Sequence, residues 1–404
     1  MILDASSTDE SSVGAGAEPS PVATAVATAE AVLAQRFGSA IPLADPEDLA
    51  GSGPAVVVRA RVASSAFSLP RTLVIKHYPQ TEGAGAKDSF AREAASYQLF
   101  TALPQEDRVC PELFALDGEK RVLVIEDLGR APTLEDKLRG SDSRAAENAL
   151  LSWARSLGRM HASTASREAD FHALLRRLRG SPRDDGEAGL HDGEEMVPLA
   201  AVAELPALLH DSFGVVTPDA VLDAVERAAD NARSVSYRAF SPVDLWPDNN
   251  LITASGVRFL DFEHGRIRSA LTDVAHLRVP FASSPQPLAL PAGMSEAMTA
   301  AWRAEVVDLW PALADDRLLS AYTLGAQLVL VWLSTWRDLP RLADTRGAGP
   351  TSRAAALVTW WRDLTTRAEQ LADTAVAEHA AAVADALDAR FGPNLELALY
   401  PAFR

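Results

Sequence analysis

The sequence changes character once along its length, and this change limits the folds that it can adopt. Up to about residue 128, the apolar residues lie in short β-branched runs bounded by Gly, Ser and Pro, at 54–63 (PAVVVRARVA), 71–78 (RTLVIKHY) and 121–129 (RVLVIEDLG). Such runs are typical of β-strands. From about residue 143, apolar residues recur at helical spacing instead. The sequence therefore predicts an α+β fold in which a β-rich region precedes a mostly helical one.

Composition divides the chain further. Residues 1–20 are rich in Ser, Gly, Ala, Pro and acidic residues, which predicts disorder. A short amphipathic helix follows and is stopped by Gly38. We predict three parts: a disordered tail over 1–30, a β-rich region over 31–128 and a helical region over 129–404.

The charge balance excludes one class of partner. The chain has 38 basic and 55 acidic residues, a net charge of −17. Nucleic-acid binders depend on dense basic contacts with phosphates, so the sequence argues against that class. The acidic excess is compatible with an amine-bearing acceptor such as an aminoglycoside, or with solubility alone. Part of it lies in a Gly-containing stretch at 183–195, which we predict to be a solvated loop.

Cys110 is the only cysteine, so the chain has neither an intrachain disulfide nor a cysteine-based zinc site. The first residues lack the basic and apolar segments of a signal peptide. The longest uncharged stretch, 318–336, contains scattered Ser, Thr and Gln and predicts a buried helix rather than a membrane span. We therefore expect a cytoplasmic protein that acts without membrane or nucleic acid.

Acids and amides are concentrated around a predicted hairpin in the helical region. The stretch NNLITASGVRFLDF, at 249–262, contains two short apolar segments around a Ser255–Gly256 turn. Asp244 and Asn249 precede the first segment and Asp261 follows the second, so Asn249 and Asp261 should be neighbours at the open end. An amide oxygen and a carboxylate are hard ligands suited to Mg²⁺. Asp244, in the loop before, could orient a substrate hydroxyl and accept its proton.

The spacing of these residues is that of the catalytic and metal-binding loops of kinases, Asp-x4-Asn followed by a hairpin and Asp-Phe. A purely structural alternative is an Asx-rich turn, in which Asp244 and Asp248 cap local backbone groups and Asp261 ends a strand.

Kinase chemistry also needs a lysine on a strand and a glutamate on the following helix, and the chain offers Lys76 and Glu93. Lys76 lies in an apolar strand of a chain that otherwise prefers arginine, and a lysine there is costly unless it meets an anion. The alternatives are a Lys76 that snorkels from an edge strand and a Glu93 that is a solvated helix charge.

Two further segments are candidates for nucleotide binding. Gly51, Ser52 and Gly53 precede a strand, where backbone N–H groups could approach phosphate oxygens, although an ordinary tight turn is an equal alternative. The connector at Glu126, Asp127 and Leu128 could bind a base through backbone groups, or could be only an acidic linker.

Taken in order, these motifs resemble the aminoglycoside phosphotransferase-like family of small-molecule kinases, in the protein-kinase-like superfamily. The resemblance rests on GSGPAVVVRA, LVIKHY, REAASYQLF, VLVIEDLG, LGRMHA, VDLWPDNNLI, FLDFEHG and TDVAHL. It implies a two-lobed fold, with a β-rich N-lobe and a mostly helical C-lobe. It also implies ATP or GTP as co-substrate, Mg²⁺ as cofactor, and a small-molecule hydroxyl as acceptor.

The resemblance assigns a role to each matching residue. Asp244 would be the catalytic base, Asn249 and Asp261 would hold Mg²⁺, Lys76 would contact the nucleotide phosphates, and Glu93 would fix Lys76. His161 and Asp273 match family residues that we interpret as structural.

The chain departs from the family at Pro242-Val243-Asp244, where a histidine usually stands two residues before the aspartate and braces the loop. One alternative is therefore a nucleotide-binding pseudokinase that acts as a regulatory module. Another is a metal-dependent hydrolase that uses Asp244, Asp248, Asp261 and Glu263. The regions that would shape the acceptor pocket carry no motif that identifies the acceptor.

Overall fold

The computed structural model describes residues 20–51, 53, 55–79, 84–179, 199–344 and 352–404. The described residues form two compact units. Those before residue 80, with Phe114–Asp127, form the sheet unit, and those from 81 to 113, with Leu128–Arg404, form the helical unit. Helices and strands are numbered in chain order. The α+β class is confirmed, with an antiparallel sheet before a mostly helical part.

The sheet unit is one antiparallel sheet with the order β1-β2-β3-β5-β4. Its strands are β1 (Leu43–Asp48), β2 (Val56–Val62), β3 (Thr72–His77), β4 (Leu113–Asp117) and β5 (Val122–Glu126). The central strands are the β-branched runs of the sequence, and side chains such as Val58, Ile75 and Val124 are fully buried. Alternation of side chains along each strand gives the sheet one apolar face.

Helix α1 (Pro21–Phe37) covers that face with Ala25, Ala29, Val32 and Leu33. Ser20 caps its N-terminus by accepting a hydrogen bond from the backbone of Ala23 at 3.2 Å. The predicted tail over 1–30 is therefore wrong for residues 21–30, which are helical because their small apolar residues pack on the sheet. Residues 1–19 lie outside the described residues.

The helical unit contains the other helices of the described residues. They are α2 (Ala84–Thr101), α3 (Leu134–Arg139), α4 (Ser143–Thr164), α5 (Glu168–Arg179), α6 (Leu199–Phe213), α7 (Asp219–Arg233), α8 (Ala270–Arg278), α9 (Met294–Val306), α10 (Asp316–Asp344), α11 (Ser352–Gln370) and α12 (Thr374–Phe391). One of its cores joins α6, α7, α10, α11 and α12, and includes Trp332 and Trp361, which are fully buried. The predicted acidic loop at 183–195 lies outside the described residues.

Helix α10 is the segment for which the sequence predicts a buried core helix. By length and composition its part Asp316–Leu342 could cross a membrane, but 56% of its most apolar window is buried inside the molecule. The Trp332 indole donates to the carbonyl of Ala201 at 2.8 Å, and Val331 is fully enclosed. The helix is therefore part of the core.

Helices α4 and α9 approach closely at Gly158. A Cβ atom there would lie 2.8 Å from both the carbonyl oxygen of Trp302 and the Cβ of Glu305. Only a residue without a side chain fits at this distance.

Two small antiparallel pairs lie among these helices. Strand β6 (Arg238–Ser241) pairs with β9 (Arg266–Ser269), and β7 (Asn250–Thr253) pairs with β8 (Gly256–Phe259). The second pair is the predicted hairpin, and together the two pairs carry the segment of acids and amides.

Candidate active site

The turn after β6 presents Asp244. The Asp244 N–H donates to the carbonyl of Pro242 at 2.8 Å, and Val243 has a φ of 66°. This left-handed conformation is unfavourable for a β-branched residue, and such strain concentrates at functional sites. The Val243 N–H donates to Ser241 Oγ at 3.0 Å, which fixes the strained turn to the end of the strand.

Both carboxylate oxygens of Asp244 accept hydrogen bonds from its own loop. Oδ1 accepts from the backbone N–H of Trp246 at 3.2 Å, and Oδ2 accepts from the side-chain amide of Asn249 at 3.2 Å. Burial raises the pKa of Asp244, the bond from Trp246 lowers it, and the charge of Asp261 raises it again, with a net increase. A carboxylate with a raised pKa is a stronger base when ionised. Asp244 is therefore both oriented and suited to accept a proton.

Asn249 and the segment that carries Asp261 come together at the open end of the hairpin. Strands β7 and β8 pair Asn250 with Phe259, and the Leu260 N–H donates to the carbonyl of Asn249 at 2.8 Å. Asn249 therefore lies against the residue that precedes Asp261, as the hairpin geometry predicts.

The donor chemistry of this pair fits Mg²⁺. Asn249 donates its amide N–H to Asp244, and within the described part of the chain no donor binds its amide oxygen. An amide oxygen beside a carboxylate is a set of hard ligands that leaves room for phosphate and water.

Helix α2 holds the backbone of Asp261. The Tyr97 hydroxyl hydrogen bonds with the backbone of Asp261, and the Tyr97 ring lies 5.3 Å from that of Phe262. Burial, with the charges of Glu93 and Asp261, raises the pKa of Tyr97 well above its usual value. Glu93 is fully buried one turn earlier on α2. Residues 81–113 therefore pack with the helical unit, whereas the sequence placed them in the β-rich region.

The segment that follows Asp261 packs tightly against α2 and β6 at Gly265. A Cβ atom there would lie 2.6 Å from Ser96 Oγ and 2.8 Å from the Phe240 ring. Phe240 in turn makes an edge contact with Phe262, with 5.3 Å between ring centroids. The aromatic cluster under the Asp261–Gly265 segment leaves no space for another side chain.

A second network braces the turn where the sequence lacks the usual histidine. Ser241 Oγ donates to Asp273 Oδ1 at 2.9 Å, and Arg268 Nε donates to Ser241 Oγ at 2.9 Å. Arg268 also bonds directly to the fully buried Asp273. Burial raises the pKa of Asp273. The charge of Arg268 and the hydrogen bonds from His161 and Ser241 outweigh burial and hold this pKa well below its usual value. Ser241 thus links an ionised aspartate to the Val243 backbone.

His161 completes this network from α4. The Trp302 indole donates to His161 Nδ1 at 2.9 Å, so Nδ1 is an acceptor. The proton is therefore on Nε2, which donates to Asp273 Oδ2 at 3.0 Å. His161 is fully buried. These contacts agree with the structural role that the resemblance implies for His161 and Asp273.

A cavity of about 360 Å³ opens beside Asp244. Asp244, Trp246 and His264 come from the loops, Arg268 from β9, and α8 supplies further wall. Helices α7 and α10 supply mostly Ala, Val and Leu side chains. A mostly apolar cavity with a few convergent polar groups is typical of a small-molecule site.

The sheet unit contains the other nucleotide candidates. Lys76 pairs with Val57 on one side and Leu123 on the other, and only 8% of its surface is exposed. Strand β3 is central, so the alternative of an edge-strand lysine is wrong. Gly51 and Gly53 lie in the loop between β1 and β2, while Ser52 lies outside the described residues.

The connector begins in the sheet unit and ends in the helical unit. Glu126 pairs with Leu73 at the end of β5. The Asp127 carboxylate accepts two hydrogen bonds from Arg59, both at 2.9 Å. Its side chain is therefore occupied, which leaves backbone groups for any ligand. Leu128 is the first residue of the helical unit on this side.

Sequence reasoning missed several residues that shape the site: Tyr97, Ser241, Arg268 and the cavity-lining Arg337. Ser241 lies directly before the Pro242-Val243-Asp244 motif, so its position was a usable signal. The other three reach the site only through helix packing and the β6–β9 pairing, which leave no local signature.

No protein-family model and no curated protein matches this sequence. Among solved structures, the chain is similar to the choline kinase LicA from Streptococcus pneumoniae, with 14% identity and a TM-score of 0.41 over 87% of this chain and 99% of that one. A choline/ethanolamine kinase family protein from Mesorhizobium loti has 17% identity and a TM-score of 0.41, over 89% and 99%. An aminoglycoside 2'-phosphotransferase-IIIa, solved with GDP, has 13% identity and a TM-score of 0.39, over 86% and 96%.

All three are small-molecule kinases, the class that the sequence motifs resemble. The identities and TM-scores are low, so the functional proposal below is built on the residues of this chain.

Proposed function

We propose that this protein is a metal-dependent phosphotransferase, which moves the γ-phosphoryl group of ATP or GTP to a hydroxyl of a small molecule. The observation that carries the proposal is the loop in which Asp244 accepts a hydrogen bond from Asn249 and lines a cavity of small-molecule size. Asn249 in turn lies beside the start of the Asp261 segment.

In the proposed reaction, the acceptor hydroxyl enters the cavity and hydrogen bonds with Asp244. The hydroxyl oxygen forms a bond to the γ-phosphorus while the bond to the β-phosphate bridging oxygen breaks, and Asp244 takes the hydroxyl proton. The products are the phosphorylated acceptor and the nucleoside diphosphate. Catalysis depends mainly on positioning and on charge neutralisation.

Asn249 and Asp261 would hold Mg²⁺, which would neutralise charge on the phosphates. Lys76 would contact the phosphates as a compact point charge, and Glu93 would fix Lys76. Gly51, Ser52 and Gly53 would approach the phosphates through backbone N–H groups, and residues 126–128 would bind the base through the backbone.

The two alternatives are less well supported. The pseudokinase was suggested by the missing histidine, but Ser241, Asp273 and Arg268 brace the turn in its place. The hydrolase needs clustered carboxylates. Across the described ranges, no group of three or more His, Cys, Asp or Glu side chains could hold a metal ion, so Asp244, Asp248, Asp261 and Glu263 do not form one.

The test is the thermal stability of the purified protein with ATP and with GTP, each with and without Mg²⁺. Nucleotide at 100-fold above its Kd stabilises a protein by about 2.7 kcal/mol, which is a shift of a few degrees. The proposal expects a Mg²⁺-dependent shift with at least one nucleotide, and nucleoside diphosphate release with hydroxyl acceptors. No shift with either nucleotide would overturn it.

A further inference from the structure

The wall of the cavity beside Asp244 has a different charge character from the rest of the molecule. The whole chain carries −17, yet Asp244 is the only carboxylate among the described residues that line the cavity. Arg268 and Arg337 line it as well. An ammonium group that entered would meet two guanidinium groups and would have to compete for the carboxylate proposed as the base.

The guanidinium group of Arg337 has N–H donors that can bind a ligand. Its Nε donates to Asp338 at 3.2 Å, and in the described part of the chain its two Nη groups donate to no residue. The side chain is 41% exposed. Arg268 differs, because its Nε donates to Ser241 and its Nη2 donates to Asp273. A guanidinium with free Nη donors fits a carboxylate, which it can bind through two parallel hydrogen bonds.

Asp338 does not neutralise this region by itself. Arg341 approaches it as well, with 3.9 Å between Nη1 and Oδ1, and Arg353 does so with 3.4 Å between Nε and Oδ2, so one carboxylate serves three guanidinium groups. Arg353 lies directly behind the cavity wall, because its Nη1 donates to the carbonyl of Ala282 at 2.6 Å, and Ala282 lines the cavity.

The pKa of His276 is also affected by the positive charges of Arg268 and Arg337. His276 lines the cavity beside Arg268 and Arg337. Burial, and then the charges of Arg268 and Arg337, lower its pKa to about 4. The imidazole is therefore neutral at pH 7 and can donate or accept a hydrogen bond.

We propose that the acceptor is a small hydroxy acid, whose hydroxyl faces Asp244 and whose carboxylate binds Arg337. This inference rests on the proposed function and specifies its substrate class. The cavity volume of about 360 Å³ lies near the lower end of ligand pockets, roughly 300–1,000 Å³, so it suits a short chain or one ring. The Val329, Leu330 and Leu333 side chains suit a compact apolar skeleton.

The test uses three probes with one skeleton: 3-hydroxybutyrate, 3-hydroxybutanamide and 4-amino-2-butanol. They keep the hydroxyl and present a carboxylate, a neutral amide and an ammonium group. Binding is measured by calorimetry, and phosphorylation by nucleoside diphosphate release with Mg²⁺ and ATP or GTP. A series of hydroxy acids with two to six carbons, each with its amide, extends the comparison.

The variants are Arg337→Gln and, as a matched control, Arg341→Gln. Arg341 lies one turn further on the same helix, is 75% exposed and reaches the same Asp338 carboxylate at 3.9 Å, but it does not line the cavity. It therefore controls for the loss of one positive charge beside Asp338. We expect the best acid to bind at least tenfold more tightly than its amide, and Arg337→Gln to weaken it by about 10- to 100-fold. Arg341→Gln should leave it unchanged, and the Mg²⁺-nucleotide shift should be normal in both variants.

The outcomes separate this inference from the proposed function. Amides or amines that bind as well as the acids, or acid binding that survives Arg337→Gln, would overturn the inference while Mg²⁺-nucleotide binding persists. A series in which no acid binds would overturn it as well. Acid binding that depends on Arg337, in a protein that binds no nucleotide, would keep a hydroxy-acid site and overturn the phosphotransferase.

Discussion

The side-chain amide of Asn249 donates to the carboxylate of Asp244 at 3.2 Å, so one contact joins the proposed base to a proposed metal ligand. The amide can serve both because its nitrogen points to Asp244 and its oxygen is left for a cation. Orientation of the acceptor and neutralisation of the phosphates are therefore coupled through a single side chain. A substitution of Asn249 should therefore affect both functions. A substitution of Asp244 should affect only the orientation of the acceptor, and one of Asp261 only the binding of the metal.

Asp244→Asn should reduce turnover by about 10²- to 10⁴-fold, because it removes the proton acceptor and keeps the shape of the loop. The measurement is nucleoside diphosphate release with an active acceptor, together with the Mg²⁺-nucleotide thermal shift, which should be retained. Asp248→Asn is the matched control, since Asp248 is exposed in the same loop. Full activity in Asp244→Asn would remove this residue from the role of base.

Asp261→Ala should abolish the Mg²⁺-dependent part of nucleotide stabilisation. The hydrogen bond between Tyr97 and this segment involves the backbone of Asp261 and not its side chain, so the segment should keep its position and the fold should persist. Thermal unfolding with ATP or GTP, titrated with Mg²⁺, measures the effect. A variant whose shift still grows with Mg²⁺ would show that the metal is held elsewhere.

The acid limb of the pH–rate profile should lie above the range of an ordinary aspartate. Asp244 must be ionised to accept a proton, so kcat/KM falls as the pH falls through its raised pKa, whose ordinary value is 3.8. The charge of His264 lowers this pKa, so His264→Gln should move the limb to higher pH. The profile is measured with saturating nucleotide, and a limb that moves to lower pH would contradict this assignment.

Gly265→Ala should destabilise the protein by about 1–3 kcal/mol, because the new methyl group would collide with Ser96 and Phe240. Removing the Ser96 hydroxyl relieves part of the collision. Ser96→Ala together with Gly265→Ala should therefore be less destabilising than the sum of the two single changes, as urea unfolding would show. Simple additivity would mean that Ser96 is not the obstacle.

Stability should fall in mild acid because of His379, which lies buried between Trp332 and Trp361. Burial lowers its pKa from 6.5 to about 4. As the pH falls below about 6.5, His379 takes up a proton in the unfolded chain. In the folded protein it stays neutral until about pH 4. This difference costs up to about 3 kcal/mol of unfolding free energy. The pKa of buried His276 is lowered to about 4 as well, so it contributes to the same loss. His379→Gln should therefore make the curve less steep in this window, and the exposed His210→Gln should not.

The sequence predicted what local patterns determine. The central strands, the hairpin and the proximity of Asn249 to the Asp261 segment all follow from side-chain periodicity and turn residues. Strand β1 was missed because Pro46 and its acidic neighbours do not resemble a strand. It is nevertheless possible there, because β1 is an edge strand with an irregular register between Ala44 and Glu47.

The cavity could not be predicted, because its wall joins loops, a strand and three helices that are far apart in sequence. Arg337 is an ordinary helix residue until α10 packs beside the loop of Asp244, where both residues line the cavity. The brace of the loop was hidden for the same reason, since Arg268 meets Ser241 only through the pairing of β6 with β9.

The close approach of α4 and α9 at Gly158 determines more than the packing of two helices. It sets the distance at which Trp302 on α9 reaches His161 on α4, and His161 holds the aspartate to which the Asp244 turn is tied through Ser241. Any side chain at position 158 would separate the helices and misalign the proposed base from a distance. Evolution can adjust turnover in such a protein at a position that no ligand touches, and a search for altered activity should include this helix contact as well as the cavity.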